Sequence, residues 1–443
     1  MKFSNLFERL RWIGVTVLLA MFQTVSAQQE LTLKQAINFA LQNKADAQKA
    51  KLEISRGDLQ IKEAKAGALP QISASGAVQY NAIIQESALQ MNDQLMVIKM
   101  GQPWNTNASV SLYQALFDQR VFTGLKAAKS TREFYQINAQ LTNEQIIERV
   151  ATAYYQVFVT EQKLKNIDAS FENTNKVKNV IQSLYDNGLA KEIDLDRTKV
   201  GLVNIQSTRQ QIVNSVELQE NALKFYMGMP IETEIKLVEE DVKINEFLLE
   251  DKFDYTKRTE VAALLKQKEL LGYNLEATKA LLYPTVGLAL NYGVNGFGEN
   301  LPFHNSTYWS NVGNVALQVK VPIFTGGATK SKIQQAQLDI DALDIDIQDA
   351  LLGLDLEYNN SKTQIENLII NLDNQKANVE LAQKVFNNTQ SNYQNGLATL
   401  TEVLDAEQAY TESKNNYSNV LLEYKVAEVA LLKARGEINT ILQ

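Results

Sequence analysis

The sequence predicts a mainly α fold with a transmembrane β part, built as a tandem structural repeat. The stretches 104–229 and 323–443 contain no proline and carry apolar residues three and four positions apart, as amphipathic helices do. Four short segments instead alternate apolar and polar residues, as strands do. Near-identical octapeptides also recur 208 residues apart, SLYDNGLA at 183–190 and SNYQNGLA at 391–398. Together these patterns predict long antiparallel α-hairpins and four β-strands per chain.

The first 27 residues are predicted to be a secretory signal peptide. Three basic residues precede a short apolar stretch at 12–22, and Val25, Ser26 and Ala27 supply small residues at a cleavage site. A transmembrane helix is the alternative, but this apolar stretch is short against the roughly 20 residues that span a bilayer. We therefore expect an exported protein whose signal peptide is residues 1–27.

The remaining chain divides into a first repeat at 28–230, an inter-repeat equatorial segment at 231–256 and a second repeat at 257–443. Equivalent positions include Pro70 and Pro284, Phe117 and Phe324, and Gly228 and Gly436. Because these anchors keep the same order, a tandem repeat explains them better than chance does. Each repeat is expected to hold a helix, a β-hairpin (68–120 and 282–324) and a long helical hairpin (121–228 and 328–436).

The longest helices are predicted at 121–187 and 328–394. At ~1.5 Å per residue each would extend about 100 Å, so each needs a partner surface along most of its length. Asn-Gly pairs at 187–188 and 395–396 are typical of the turn that ends a helix. A shorter helix is expected to return from each turn, which gives an antiparallel hairpin with its tip at NGLA.

The strands are predicted at 72–80, 108–117, 285–292 and 315–323. Lengths of roughly 9–11 residues suit strands that cross a membrane, although an ordinary sheet packed on the helices is the alternative. Aromatic residues near the strand ends favour the membrane. Four strands cannot close a barrel and an open edge is not stable in lipid, so several copies would each contribute four. The arithmetic permits twelve strands from three copies or sixteen from four.

Composition argues against most enzyme chemistry. The 443 residues include no Cys, one His, 43 Lys and Arg, and 51 Asp and Glu. The lack of Cys excludes disulfides, thiolate zinc sites, Cys nucleophiles and a lipid-modified N-terminal Cys. One His leaves little material for metal ligation or a catalytic triad, and a net charge of −8 argues against a nucleic-acid partner. No cofactor, metal site or catalytic residue is expected.

Several longer motifs carry a family resemblance. They are LTLKQAINFALQNKADAQKA at 31–50, AKAGALPQISASGAVQY before the first β-hairpin, QALFDQRVFTGLKAAK and VPIFTGGATKSKIQQAQ between strand and helix, and YDNGLAKEIDLDRTK and YQNGLATLTEVLDAEQAY at the tips. With them, the chain resembles the TolC-like outer-membrane efflux protein family, the outer membrane factors. The resemblance implies a homotrimer with a 12-stranded β-barrel in outer-membrane lipid, continued by a periplasmic α-helical barrel. It also implies an exit duct that joins a periplasmic adaptor and an inner-membrane transporter.

The resemblance assigns adaptor docking to the two hairpin tips. Glycine lets backbones approach closely and leucine offers a small apolar knob, which suits docking of a partner hairpin. The alternative is a plain capping turn with a local leucine contact. The expected docking residues are Gly188, Leu189, Ala190, Gly396, Leu397 and Ala398.

The resemblance also implies a pore entrance lined by acids. Glu402 and Asp405 are three positions apart on one helix face, and three copies would place six carboxylates in a ring that favours cations. Two solvated surface acids are the alternative. The equivalent positions in the first repeat are Asp194 and Arg197.

A latch between the tips is implied as well. Asp194 and Tyr393 match an acid and a tyrosine that join the two hairpins in the family. An arginine that often strengthens this latch is replaced here by Ala398. We therefore expect an entrance that is less tightly held at rest.

The inter-repeat segment is acidic and predicts a solvated surface, with a short strand at Ile235–Val238. His304 is expected to be an exposed loop residue. Two function classes remain in comparison: a passive outer-membrane duct, and a soluble periplasmic coiled-coil scaffold. An enzyme with paired carboxylates, such as Asp339 with Asp341, finds no supporting motif. The sequence leaves drug, metal-ion and protein cargo equally open.

Overall fold

The structure is a computed structural model that describes residues 29–91, 94–238, 254–302 and 307–442. The predicted signal peptide, His304 and positions 239–253 of the inter-repeat segment lie outside these residues. The helices are α1 (Leu33–Asn43), α2 (Ala45–Ala66), α3 (Gln119–Asp186), α4 (Glu192–Met227), α5 (Thr259–Lys279), α6 (Ala328–Gln394) and α7 (Leu400–Ala434). The strands are β1 (Gln29–Leu31), β2 (Gln71–Tyr80), β3 (Glu86–Met91), β4 (Gln94–Lys99), β5 (Trp104–Phe117), β6 (Ile235–Leu237), β7 (Thr285–Gly298) and β8 (Tyr308–Lys320).

The described chain separates into two compact units. The sheet unit comprises Lys49–Leu141 and Thr259–Gly353, and the tip unit comprises the residues up to Gln48, Thr142–Arg258 and those from Leu354 onward. Helices α2, α3 and α6 contribute residues to both units. None of the described helices has the combination of length and apolarity that crossing a membrane requires.

The sheet unit contains a four-stranded antiparallel sheet in the order β2-β5-β7-β8. Each β-hairpin of the sequence supplies two neighbouring strands, and β5 pairs with β7 to join them. Strands β2 and β8 are the edges. Two ion pairs connect helices of this unit. Arg132 of α3 pairs with Asp58 of α2 at 2.6 Å, and Lys266 of α5 pairs with Glu133 of α3 at 2.8 Å.

The strands differ from their predicted ranges in three respects. Strands β5 and β7 are longer than 108–117 and 285–292, because the polar residues at their far ends still take part in the ladder. Strand β8 begins at Tyr308 instead of 315, because residues 308–314 pair with β7, and it ends at Lys320 instead of 323, since Pro322 has no N–H with which to continue the pairing. A separate hairpin, β3–β4, lies in the segment that the sequence leaves as a loop.

The tip unit has its largest core where α1, α3 and α4 meet the short parallel sheet of β1 and β6. Ile37, Val150 and Leu223 are fully buried there, and the Tyr154 hydroxyl donates to the carbonyl of Leu31 at 3.2 Å. Strand β6 corresponds to the short strand expected at Ile235–Val238. The pairing of β6 with β1 was not predicted from the sequence. A second core lies between α6 and α7, so these long helices bury one another along their apolar stripes.

Candidate functional site: the paired helix tips

The first hairpin turns at Asn187–Ala190 through a hydrogen-bonded helix cap. The amide of Gly188 donates to the Tyr185 carbonyl at 2.9 Å, and the amide of Leu189 donates to the Leu184 carbonyl at 2.8 Å. This pair of bonds defines a Schellman motif, which needs a left-handed residue at its centre. Gly188 supplies it with φ = 74°. The chain can therefore reverse directly after α3.

The second hairpin repeats this cap. Gly396 has φ = 73°, its amide donates to Tyr393 at 3.0 Å, and the amide of Leu397 donates to Asn392 at 2.8 Å. At both tips the space where a glycine Cβ would lie is open. Glycine is present for its backbone conformation, since no neighbour excludes a side chain.

The leucines of the two tips point into solvent. Leu189 is 76% exposed and Leu397 is 78% exposed, so neither makes the local packing contact that often accompanies this type of cap. Ala190 and Ala398 are half-buried. Two similar apolar knobs are therefore left without a partner in a single chain.

A small apolar core holds the two tips together within one chain. It joins all four long helices through Val177 and Ile181 of α3, Leu195 of α4, Phe386 of α6 and Leu400, Val403 and Ala406 of α7. The rings of Phe386 and Tyr410 stack with their centroids 6.0 Å apart. The tips thus form a single packed end of the tip unit.

Asp194 and Tyr393 are brought together by this packing. Tyr393 lies at the edge of the tip core and is half-buried. Burial raises the pKa of the Tyr393 phenol, and the negative charge of Asp194 raises it further. The protonated phenol therefore stays available as a donor beside a carboxylate, which is the chemistry that the predicted latch needs.

Glu402 has a structural task in addition to its charge. Its carboxylate accepts from the Thr399 amide at 2.6 Å and the Thr399 hydroxyl at 3.0 Å, while its own amide donates to that hydroxyl at 3.3 Å. This reciprocal arrangement is a capping box at the start of α7. The hydrogen bonds lower the pKa of Glu402. Glu402 is thus directed toward its own backbone, whereas Asp405, one turn later, is exposed.

Arg197 also joins the two hairpins, although the predicted latch consists only of Asp194 and Tyr393. Its guanidinium donates to the Thr401 hydroxyl at 3.1 Å, which connects α4 to α7. Arg197 is the first-repeat equivalent of Asp405. This replacement of an acidic residue by a basic one is the feature of the sequence that could have indicated a different role for Arg197. Within the residues described by the structure, no group of three or more acidic or histidine side chains could hold a metal ion.

Comparison with known proteins places this geometry in a family. Residues 36–229 and 256–437 match the model of the outer membrane efflux proteins, so the match covers both parts that carry a hairpin tip. The chain belongs to the outer membrane efflux protein family. The resemblance deduced from the motifs is therefore confirmed.

Relatives of this outer membrane efflux protein include an outer membrane protein and a secretion protein. It is 22% identical to the outer membrane protein TolC of Salmonella enteritidis, over 98% of this chain and 87% of the relative. It is 20% identical to the proteases secretion protein PrtF of Dickeya chrysanthemi, over 97% of this chain and 93% of the relative. The efflux protein is accordingly located in the outer membrane, and its function falls within efflux or secretion.

Solved structures of outer-membrane channels share the fold. The outer membrane protein VceC of Vibrio cholerae superposes with a TM-score of 0.72 at 18% identity, covering 91% of this chain and 96% of that one. The CmeC outer membrane channel of Campylobacter jejuni gives 0.71 at 15% identity, covering 92% and 86%. Members of the family are channel proteins and not enzymes.

Proposed function

We propose that this chain is a passive exit duct of a tripartite efflux or secretion system. Three copies would form a 12-stranded barrel in outer-membrane lipid, continued by an α-helical barrel in the periplasm. Cargo would arrive from an inner-membrane transporter through a periplasmic adaptor. The observation that carries the proposal is a four-stranded sheet with two free edges and one apolar face.

The two faces of the sheet differ in the way that a membrane barrel requires. One cross-strand row consists of Ile72, Leu112, Leu290 and Val315. The adjacent row on the other face consists of Ser73, Ser111, Asn291 and Asn314, in which the Ser111 hydroxyl donates to the Asn291 side chain at 3.1 Å. An apolar face suits lipid, and a neutral polar face suits a water-filled bore.

The edges of the sheet support assembly with further copies. Unpaired strand edges are not stable in lipid, so β2 of one copy would pair with β8 of the next. Strand β2 follows α2 and β8 leads into α6, which would place α6 of one copy beside α2 of its neighbour. Both helices carry exposed apolar residues seven positions apart: Leu52 and Leu59 on α2, and Leu338, Ile345 and Leu352 on α6. This spacing suits helix-on-helix packing between copies.

The proposal is tested with the purified mature protein in detergent and in planar lipid bilayers. We expect a trimer by light scattering and discrete conductance steps. Leu338→Glu should disrupt the trimer, because it places a charge in the α6 stripe. Gln337→Glu adds the same charge to the neighbouring exposed position and should leave the trimer intact. A wild-type protein that is monomeric and forms no channel would contradict the duct.

The adaptor is proposed to dock on the two tips. Leu189 and Leu397 supply exposed apolar knobs, and Gly188 and Gly396 leave open space beside them. Three copies would present six such knobs in a ring. An adaptor hairpin with small apolar pockets at its end fits this surface.

The entrance is proposed to lie at the same end. Asp194 with Tyr393 would latch the tips, while Glu402 and Asp405 of three copies would form an acidic ring that favours cations. The capping box gives Glu402 a fixed orientation, so Asp405 is the acid whose side chain can respond to cargo. The bond from Arg197 to Thr401 would offset the arginine missing at Ala398.

A further inference from the structure

A cleft with a volume of 920 Å³ lies between α4 and α7 and borders the tip core at Leu404. Its walls come from 197–208 of α4 and 401–415 of α7, and its floor comes from 167–174 of α3. Binding sites for small molecules occupy about 300–1,000 Å³ and combine apolar surface with a few convergent polar groups. Ile167, Val200 and Leu404 supply the apolar part here. The cleft therefore has the size of a ligand site, and most of its other lining residues are polar.

The α7 wall and the floor hold buried polar groups that packing alone does not explain. Glu407 is 7% exposed, and its carboxylate accepts from the Thr411 hydroxyl at 3.1 Å. Burial raises the pKa of Glu407, against hydrogen bonds from Ser170 and Thr411 and the charge of Lys414. Thr174 is 2% exposed, and its hydroxyl has no hydrogen-bond partner among the described residues. Such buried polar groups are usually satisfied, so the floor has spare bonding capacity.

The α4 wall is thinned by a glycine. Gly201 lies inside α4 and lines the cleft, and nothing lies within 4 Å of the place where its Cβ would be. Glycine is less favourable than alanine in a helix interior. No backbone conformation or close neighbour requires glycine at this position. The missing side chain keeps the cleft open.

The charges of the cleft favour a cation. Asp405, Glu407 and Glu412 line it together with Arg197, whose guanidinium is bonded to Thr401. Lys414 lies outside the lining, but its charge acts on Glu407, and burial lowers the pKa of Lys414. We propose that the cleft binds an amphiphilic organic cation, with the apolar body between α4 and α7 and the positive group toward Glu407. This site deepens the proposed duct by naming a cargo class, and its role in transport rests on that function.

The test measures binding of two ions with the same shape and opposite charge. Tetraphenylphosphonium and tetraphenylborate are titrated calorimetrically into the purified full-length mature protein in detergent. We expect saturable binding of the cation and none of the anion above the detergent background. Gly201→Leu fills the cleft and should weaken cation binding about tenfold or more, because the added side chain occupies the space of the apolar body.

Two further variants keep the test decisive. Gly353→Leu makes the same change at an open helical glycine of α6, outside the cleft, and should bind the cation like the wild type. Glu407→Gln keeps the size and acceptor oxygen of the side chain but removes its charge, and should also weaken binding about tenfold. Equal binding of both ions, or cation binding that Gly201→Leu leaves unchanged, would overturn the site. Bilayer conductance tests the duct separately, because it does not depend on an occupied cleft.

Discussion

The two hairpin tips share a turn but differ in the helix that follows it. Both end a long helix with a Schellman cap, and in both an asparagine side chain donates to a serine carbonyl four residues earlier, at 2.7 Å in the first tip and 2.9 Å in the second. After the turn, α7 begins with a capping box from Thr399, whereas the N-cap residue of α4, Lys191, makes no side-chain cap. One short motif thus fixes the turn, and the next residue decides how the following helix starts.

The charges diverge at the same positions. The acid of the first tip, Asp194, acts on Tyr393, while its equivalent Glu402 is held by its own helix cap. Three residues further along the helix, the first tip has Arg197 and the second has Asp405. The first tip therefore provides the links between the hairpins. The second provides two carboxylates, Glu402 held by its helix cap and Asp405 exposed.

The largest expected effect comes from removing what the tips share. Leu189→Asp combined with Leu397→Asp replaces both apolar knobs by charges, so adaptor docking should fail. We expect the resistance conferred by the duct to fall about tenfold or more, as for loss of an interface hot spot. Growth of a complemented deletion strain on a toxicant panel measures this.

The matched control for the tip leucines is Leu218→Asp. Leu218 is 71% exposed on α4 and lies outside the tips, so this variant should transport like the wild type. Each single tip variant shows whether the two knobs contribute equally. Full resistance in the double variant, with normal trimer content, would remove the docking assignment.

The next effect concerns a link made by the first tip. Arg197→Ala removes the bond to Thr401 and should raise the open fraction of the resting channel roughly fivefold, because an exposed charged hydrogen bond contributes about 1 kcal/mol. Single-channel recording measures that fraction. Arg209→Ala is the control, since Arg209 lies on the same helix and pairs with Asp168 of α3. Equal opening in both variants would show that Arg197 is no latch.

The second tip should be sensitive to pH through its cap. The pKa of Glu402 is lowered in the folded chain, so its contribution to stability is present above its ordinary value of 4.5 and is lost as pH falls through the lowered pKa. Thr399→Ala should weaken the start of α7 by ~1 kcal/mol at neutral pH. Hydrogen exchange of the first α7 amides measures the loss. Protection factors of these amides in the wild type that stay constant as pH falls below 4.5 would contradict the contribution of the Glu402 carboxylate to the cap.

Much of this site follows from the sequence because local patterns encode it. The recurring NGLA octapeptides locate both tips, and an Asn-Gly pair has few alternatives to a helix-ending turn. The capping box was not predicted, although its sequence signature is present as Thr399 three residues before Glu402. The spacing of Glu402 and Asp405 instead predicts that both acids share one helix face. Glu402 therefore fits two interpretations, a capping box and an acid of the pore entrance.

Other features depend on packing that no local pattern reports. The bond from Arg197 to Thr401 depends on how α4 and α7 pack against each other. Because the two residues are 204 positions apart, no local pattern predicts this bond. The ends of β5 and β7 carry Asn and Gly residues, which are poor strand formers, so alternation alone underestimates these strands. Hairpin β3–β4 combines charged, polar and apolar residues without a clear period.

The smallest expected effect comes from transplanting the cap of the second tip into the first tip. This change is also the sharpest test of the difference between the tips. Lys191→Thr with Asp194→Glu recreates the Thr-x-x-Glu arrangement at the start of α4 and should stabilise its first turn by ~0.5–1 kcal/mol. The same change draws the carboxylate away from Tyr393. Hydrogen exchange measures the first effect, and a spectroscopic titration of the tyrosine measures the second.

The two readouts of the transplant should move together. Because burial is the larger cause of the raised Tyr393 pKa, that pKa should fall only part of the way toward its ordinary value. Lys191→Ala is the control and should change neither quantity, since it removes the charge without creating a cap. A stabilised first turn with an unchanged Tyr393 pKa would mean that Asp194 does not act on the tyrosine. The difference between the tips would then be one of helix capping alone.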